Sequence, residues 1–281
     1  MPAEPTRFSV GSRGVELSGG QSGAGIPVVL LHGLTATRRY VVMGSRALER
    51  SGHLVIAYDA RGHGHSTPAP EPRAYGYELL AEDLLAVLDA RGLRRAVLAG
   101  ASMGAHTAVR LALEHPDRVA ALGLITPSFD ADSPAQAESL SAWDALARGL
   151  RDGGVEGFID AYDLAAVPPR WRETIESVLR QRLSAHEHPQ AVADALQAVP
   201  RSRPFQEMRQ LAAIAVPTVV VASRDEADPG HPLQTAERYA RAIPDARLVV
   251  EDAGPPARSP IAWQGGQLSQ VLAELAARAG M

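Results

Sequence analysis

Hydrophobic positions along the chain switch between two periods. Short apolar runs of strand length, Ile26 to Leu31, His53 to Tyr58, Ala96 to Ala99 and Val119 to Ile125, are separated by stretches with helical patterning. Tyr77 to Ala90 places Leu79, Leu80, Leu84, Leu85 and Leu88 on a helical period and stops at Gly92. After the third run, Val109, Leu111 and Leu113 continue as the apolar stripe of a second helix. Residues 7–18 read as two short strands around Gly11 and Gly14, an edge hairpin, and 19–25 as a loop.

From Thr126 the alternation stops. Residues 133 to about 204 carry only helical segments, broken at Pro168-Pro169, Pro189, Pro200 and Pro204. The alternation then resumes, with strands at 217–222 and 246–251 and helices at 232–242 and 261–277. Strands and helices in this order predict an α/β fold, a doubly wound and mostly parallel sheet with helices on both faces. The expected division is a core of residues 1–126 and 205–281, interrupted by a helical cap over 127–204.

The third apolar run ends in Gly100-Ala101-Ser102-Met103-Gly104 and leads straight into a helix. A strand-to-helix turn this sharp strains the serine backbone and brings the two elements together, and glycines on either side remove the Cβ atoms that would collide. Ser102 is thereby pushed out over the sheet edge as a nucleophile. The N–H of Met103, at the helix N-terminus, is placed to face a developing oxyanion.

Composition narrows the chemistry. The 281 residues are 46% apolar and 21% charged, a globular balance, and the net charge of −4 gives no basic footprint for nucleic acid. No apolar run reaches the roughly 18 residues of a membrane span, and the first residues lack the pattern of a signal peptide. The expectations are therefore a cytoplasmic location and a small-molecule substrate, with no nucleic acid, no membrane and no cofactor; the oligomeric state stays open. The chain has no cysteine, no lysine and no asparagine, which removes thiolate nucleophiles, Schiff bases and Ser–Lys dyads. A general base must come from nine histidines or a carboxylate.

Three further motifs accompany the elbow: His32-Gly33-Leu34 after the first central strand, Asp59-Ala60-Arg61-Gly62-His63-Gly64-His65-Ser66, and His115-Pro116-Asp117-Arg118-Val119. Four motifs in this order and spacing resemble the α/β-hydrolase fold family with a helical cap, over nearly the whole chain. The resemblance implies a catalytic Ser102, oxyanion donors at the Leu34 and Met103 N–H groups, and an acid after the 217–222 strand at Asp228, with Asp225 as the alternative. It also implies substrate-binding residues around the cap and the oxyanion turn, here His32, Trp143, Phe158, Tyr162, Trp171 and His188.

The sequence departs from the family at the base, a histidine just after the last strand. Pro255 stands there, and no histidine follows His231. Arg258 cannot replace it, because guanidinium stays protonated. His231 lies three residues from Asp228 across a Pro-Gly turn, within the roughly 10 Å that three residues span. His65, His186 and His188 are the other candidates. The leading expectation is a serine hydrolase of carboxylic esters, lactones or related acyl compounds with a non-standard base. The alternatives are a lyase, isomerase or cyclase on the same scaffold, or a ligand-binding protein without turnover.

Overall fold

The computed structural model describes residues 4–133, 139–224, 228–251 and 263–280. Eight strands form one sheet: β1 (Thr6–Ser12), β2 (Val15–Gly23), β3 (Ile26–Leu31), β4 (His53–Tyr58), β5 (Ala96–Ala101), β6 (Val119–Ile125), β7 (Thr218–Ala222) and β8 (Ala246–Val250). Their spatial order is β1-β2-β4-β3-β5-β6-β7-β8, antiparallel at β1/β2 and β2/β4 and parallel from there on. The helices are α1 (Ala47–Arg50), α2 (Tyr77–Ala90), α3 (Met103–Glu114), α4 (Leu140–Ala161), α5 (Arg172–Leu183), α6 (Pro189–Ala198), α7 (Leu233–Ala242) and α8 (Gly265–Arg278). Among the described residues, no helix is long and apolar enough to cross a membrane.

Strand alternation sends side chains to two cores. Val29, Leu31, Leu98 and Val220 pack with α2, α3 and α7, while Val28, Leu30, Val97 and Val219 pack with α1 and α8. The central strands are buried on both faces and hence read as continuous apolar runs.

The loop expected at 19–25 is a strand over most of its length. β2 runs on to Gly23 because it pairs on both sides, Gly19 facing Phe8 of β1 and Tyr58 of β4. The Phe8 ring fills the space a side chain at Gly19 would occupy, 2.2 Å from an added Cβ, so glycine here marks close packing and not a turn. The last helix begins at Gly265, not 261; positions 261 and 262 fall outside the described residues.

Between β6 and β7, α4 to α6 build a core of their own around Ala147, Leu150, Phe158, Leu179, Leu183, Val192 and Leu196. Gly154 (φ +62°) folds α4 back on itself, and Gly149 and Gly157 meet so closely that a Cβ on either would lie 2.2 Å from the other's carbonyl oxygen. This unit is tied to the sheet at its C-terminal edge. His186 Nδ1 accepts from Gly64 N–H at 2.8 Å, its Nε2 donates to the Thr35 carbonyl at 3.0 Å, and Glu187 N–H donates to the Gly64 carbonyl at 3.0 Å.

Candidate active site

Ser102 joins β5 to α3 with φ +49° and ψ −112°, a conformation that L residues rarely adopt. The flanking glycines make it reachable. A Cβ on Gly100 would stand 2.2 Å from the Gly104 carbonyl carbon, and one on Gly104 would stand 2.3 Å from the Leu31 carbonyl oxygen. Thr35 (φ +68°) and Thr126 (φ +44°) are strained in the same way just beyond β3 and β6, the neighbours of β5. Left-handed non-glycine residues thus gather at one edge of the sheet, where strain is stored when a site requires it.

Above this edge Asp228-Pro229-Gly230-His231 forms a tight turn, with His231 N–H donating to the Asp228 carbonyl at 3.1 Å. The imidazole folds back over Ser102. Its Nε2 lies 2.9 Å from Ser102 Oγ, and its Nδ1 lies 2.8 and 2.9 Å from the two Asp228 carboxylate oxygens. A carboxylate only accepts, so Nδ1 carries the proton and the Nε2 lone pair faces the serine hydroxyl. The hydroxyl, the imidazole and the carboxylate lie in one hydrogen-bonded line.

The His32-Gly33-Leu34 turn closes against the elbow, a Cβ on Gly33 lying 3.3 Å from the Ala101 carbonyl oxygen and 3.5 Å from Ser102 Cβ. Met103 N–H opens α3 and has no intrahelical acceptor. Leu34 N–H donates to no acceptor among the described residues.

A sequence profile described as the alpha/beta hydrolase fold matches residues 26–257. The chain belongs to this family. It is 32% identical over 225 residues to "Putative carbamate hydrolase RutD" of Variovorax paradoxus, a match covering 80% of this chain and 82% of that protein. Among solved structures, an esterase from Thermogutta terrifontis superposes with a TM-score of 0.77 at 27% identity, covering 98% of this chain and 100% of its own. Est816, described as an N-acyl homoserine lactone degrading enzyme, gives a TM-score of 0.69 at 26% identity, covering 94% of this chain and 96% of its own.

Hydrogen bonds account for several of the other histidines. His32 is buried; its Nδ1–H donates to the Gly33 carbonyl at 2.8 Å and its Nε2 accepts from Ala60 N–H at 2.9 Å. Its assignment to substrate binding is therefore corrected, since neither ring nitrogen is free. His186 is likewise spent on Thr35 and Gly64 and is no base, and His65 is exposed and held by Glu187 at 2.6 Å. His188 caps the start of α6, its carbonyl accepting from Ala191 and Val192 N–H, while the Ser102 hydroxyl is engaged by His231. The expected histidine position, Pro255, and the alternative acid, Asp225, lie outside the described residues.

The aromatic expectations divide. Phe158 is buried inside the α4–α6 core, stacked on Tyr162 at 6.3 Å, which makes it a packing residue and corrects its place in the substrate wall. Trp143 packs on the same core half-buried, and Trp171 lies under Arg170 at 5.4 Å. Tyr162 packs on the same core and feels the site's charge: burial raises its phenol pKa first, and the Asp228 charge raises it further. A crevice of about 10 Å³ behind the elbow, lined in part by Leu31, His32 and Met103, is too small for a substrate.

Sequence reasoning passed over Arg182 and Tyr40. The Arg182 guanidinium stands 5.7 Å from the Tyr40 ring centroid. Burial lowers the Arg182 pKa, while Tyr40, Asp228 and Tyr162 pull it back up. In one chain containing twenty-eight basic residues, all arginine, no local pattern distinguishes it.

Burial lowers the pKa of four histidines, His32, His63, His106 and His186. His32 is lowered to about 3 by burial, against its bond to the Gly33 carbonyl. His106, one turn along α3, is lowered to about 3 by burial and by the nearby His231. His106 Nε2 accepts from Ser128 and Phe129 N–H at 3.1 Å and Nδ1–H donates to Tyr77 Oη at 3.0 Å, so the ring pins the loop after β6. The unfolded chain protonates His32 and His106 near 6.5 while the folded chain does not, so stability rises with pH from about 3 to 6.5 and is lost on acidification. Each histidine contributes about 1.4 kcal/mol per pH unit within that window. Thermal unfolding between pH 4 and 7 checks this; a melting temperature independent of pH there would contradict it.

Proposed function

We propose that the chain is a serine hydrolase of acyl compounds, esters, lactones or carbamates, working through an acyl-enzyme on Ser102. The observation that carries this reading is the 2.9 Å contact of Ser102 Oγ with a His231 ring whose far nitrogen is held by Asp228. Oγ attacks the substrate carbonyl carbon as its proton passes to His231 Nε2, and the carbonyl π pair moves onto oxygen. Leu34 and Met103 N–H groups receive that oxyanion. Collapse expels the alcohol or amine, which takes the proton from Nε2; a water deprotonated by His231 then attacks the acyl carbon and frees Ser102. Asp228 keeps the ring in the right tautomer and stabilises the imidazolium. The names of relatives, a carbamate hydrolase, an esterase and a lactone-degrading enzyme, support acyl hydrolysis as the reaction class. In this reading the insertion of α4 to α6 is the cap, with Tyr162 on its inner face.

A fluorophosphonate probe tests the reading. The expected result is one covalent adduct, mapped by peptide mass spectrometry to Ser102. Folded protein that stays unlabelled at high probe concentration overturns the acyl-enzyme and leaves the lyase, isomerase or binding readings.

A further inference from the structure

Arg182 sits at the end of α5, next to Leu183 in the cap core and four residues before His186, whose ring bonds fix this end of the helix over the loop after β3. Its Nε is shut off from solvent without a partner, and the side chain makes no hydrogen bond or ion pair among the described residues. Most guanidinium groups here behave differently: Arg38, Arg61, Arg151, Arg201 and Arg238 each hold a carboxylate. Arg91, Arg95 and Arg110 also have bare Nε atoms, but Arg91 and Arg95 flank the start of β5, at the opposite end of the strand from Ser102, and Arg110 pairs with Glu114. Asp228, the acid nearest in field to Arg182, spends both oxygens on His231. Among the described residues no acceptor meets the planar fork of the Arg182 guanidinium, whose Nε is buried and bare and which feels the charge of Asp228.

We infer that Arg182 binds a carboxylate of the substrate, so that the compound cleaved at Ser102 is an acyl compound that also carries a free acid group. This rests on the hydrolase reading above. Tyr40, under the guanidinium, gives the acid group an aromatic floor. A carboxylate accepts two N–H bonds from the fork in a geometry that lysine could not match.

The test compares mono-p-nitrophenyl esters of glutaric, adipic and pimelic acids with their methyl-capped, uncharged diesters, reading p-nitrophenolate release. The wild-type enzyme is expected to favour the acid over its capped partner at least tenfold in kcat/KM for one chain length. Arg182→Gln is expected to lower that value roughly 10- to 100-fold, mainly through KM, and to leave the capped ester within about threefold. Equal wild-type rates for acid and capped ester at every length overturn the inference. So does an equal loss on both in Arg182→Gln, which would mean that the charge acts through Asp228. Calorimetry of adipate binding to Ser102→Ala, with and without Arg182→Gln, separates the two claims. Binding that disappears with Arg182 supports the carboxylate site even if no ester is cleaved, and binding indifferent to Arg182 overturns it even if esters are.

Discussion

Replacing His231 with alanine is expected to lower kcat/KM for an activated ester by about 10²–10⁴-fold while leaving the fold intact. The hydroxyl of Ser102 is a weak nucleophile at neutral pH and has one imidazole within reach, at 2.9 Å. Among the described residues no other histidine hydrogen-bonds to that hydroxyl to take its proton. His32 and His186 have both ring nitrogens bonded to backbone, and His106 gives its nitrogens to Tyr77, Ser128 and Phe129. Because His231 is half-exposed on a turn, its removal opens no cavity in the core, and the melting temperature should move little. Added imidazole should restore part of the rate by entering the vacated space. His65→Ala serves as the control, since that ring is exposed and bound to Glu187, and it should retain wild-type rates. Activity in His231→Ala within threefold of wild type would mean that the proton leaves Ser102 by another route, and the reading of the Asp228-His231 turn would fall.

The fold was legible in the sequence because its central strands are buried on both faces, so continuous apolar runs mark them out: β3, β4 and β6 begin and end where those runs do. Ser102 was legible for a steric reason, since only small residues at 100 and 104 permit the turn. Asp228 was implied by the family resemblance, and His231 could then be proposed from its reach to Asp228. Choosing His231 over His186 needed the tertiary structure, because what disqualifies His186 is a bond to Gly64, 122 residues away. The strand character of 19–23 was hidden by its glycines, of which Gly19 makes room for the Phe8 ring and Gly23 for the His53 carbonyl. Arg182 was illegible in principle, for its significance is the lack of a partner among the described residues, and a one-dimensional pattern cannot display that.

Asp83→Ala is expected to cost about 3–5 kcal/mol of stability, a melting temperature lower by roughly 6–15 °C. Arg61, from the loop after β4, reaches across to α2 and meets Asp83 through two bonds of 2.7 Å, each side chain only 1% exposed. Its third arm donates to the Ala74 carbonyl at 2.9 Å. Burial pushes the Asp83 carboxyl pKa up, and the Arg61 bonds and charge oppose that push. Removing the carboxylate strands a buried guanidinium without its counter-charge, which is why breaking such a pair costs more than the pair itself is worth. The double replacement Arg61→Met with Asp83→Leu should therefore recover most of the loss, because an apolar pair fills the same volume without an unpaired charge. Activity adds an independent readout. The same loop carries Gly62 against Ala191 of α6, and the buried His63 ring lies 5.2 Å from His32. Loosening it in Asp83→Ala should raise KM before the protein unfolds, whereas the apolar double variant should keep KM near the wild-type value. A double variant as unstable as Asp83→Ala would show that the pair fixes the loop by its directional bonds, and not merely by leaving no charge unpaired.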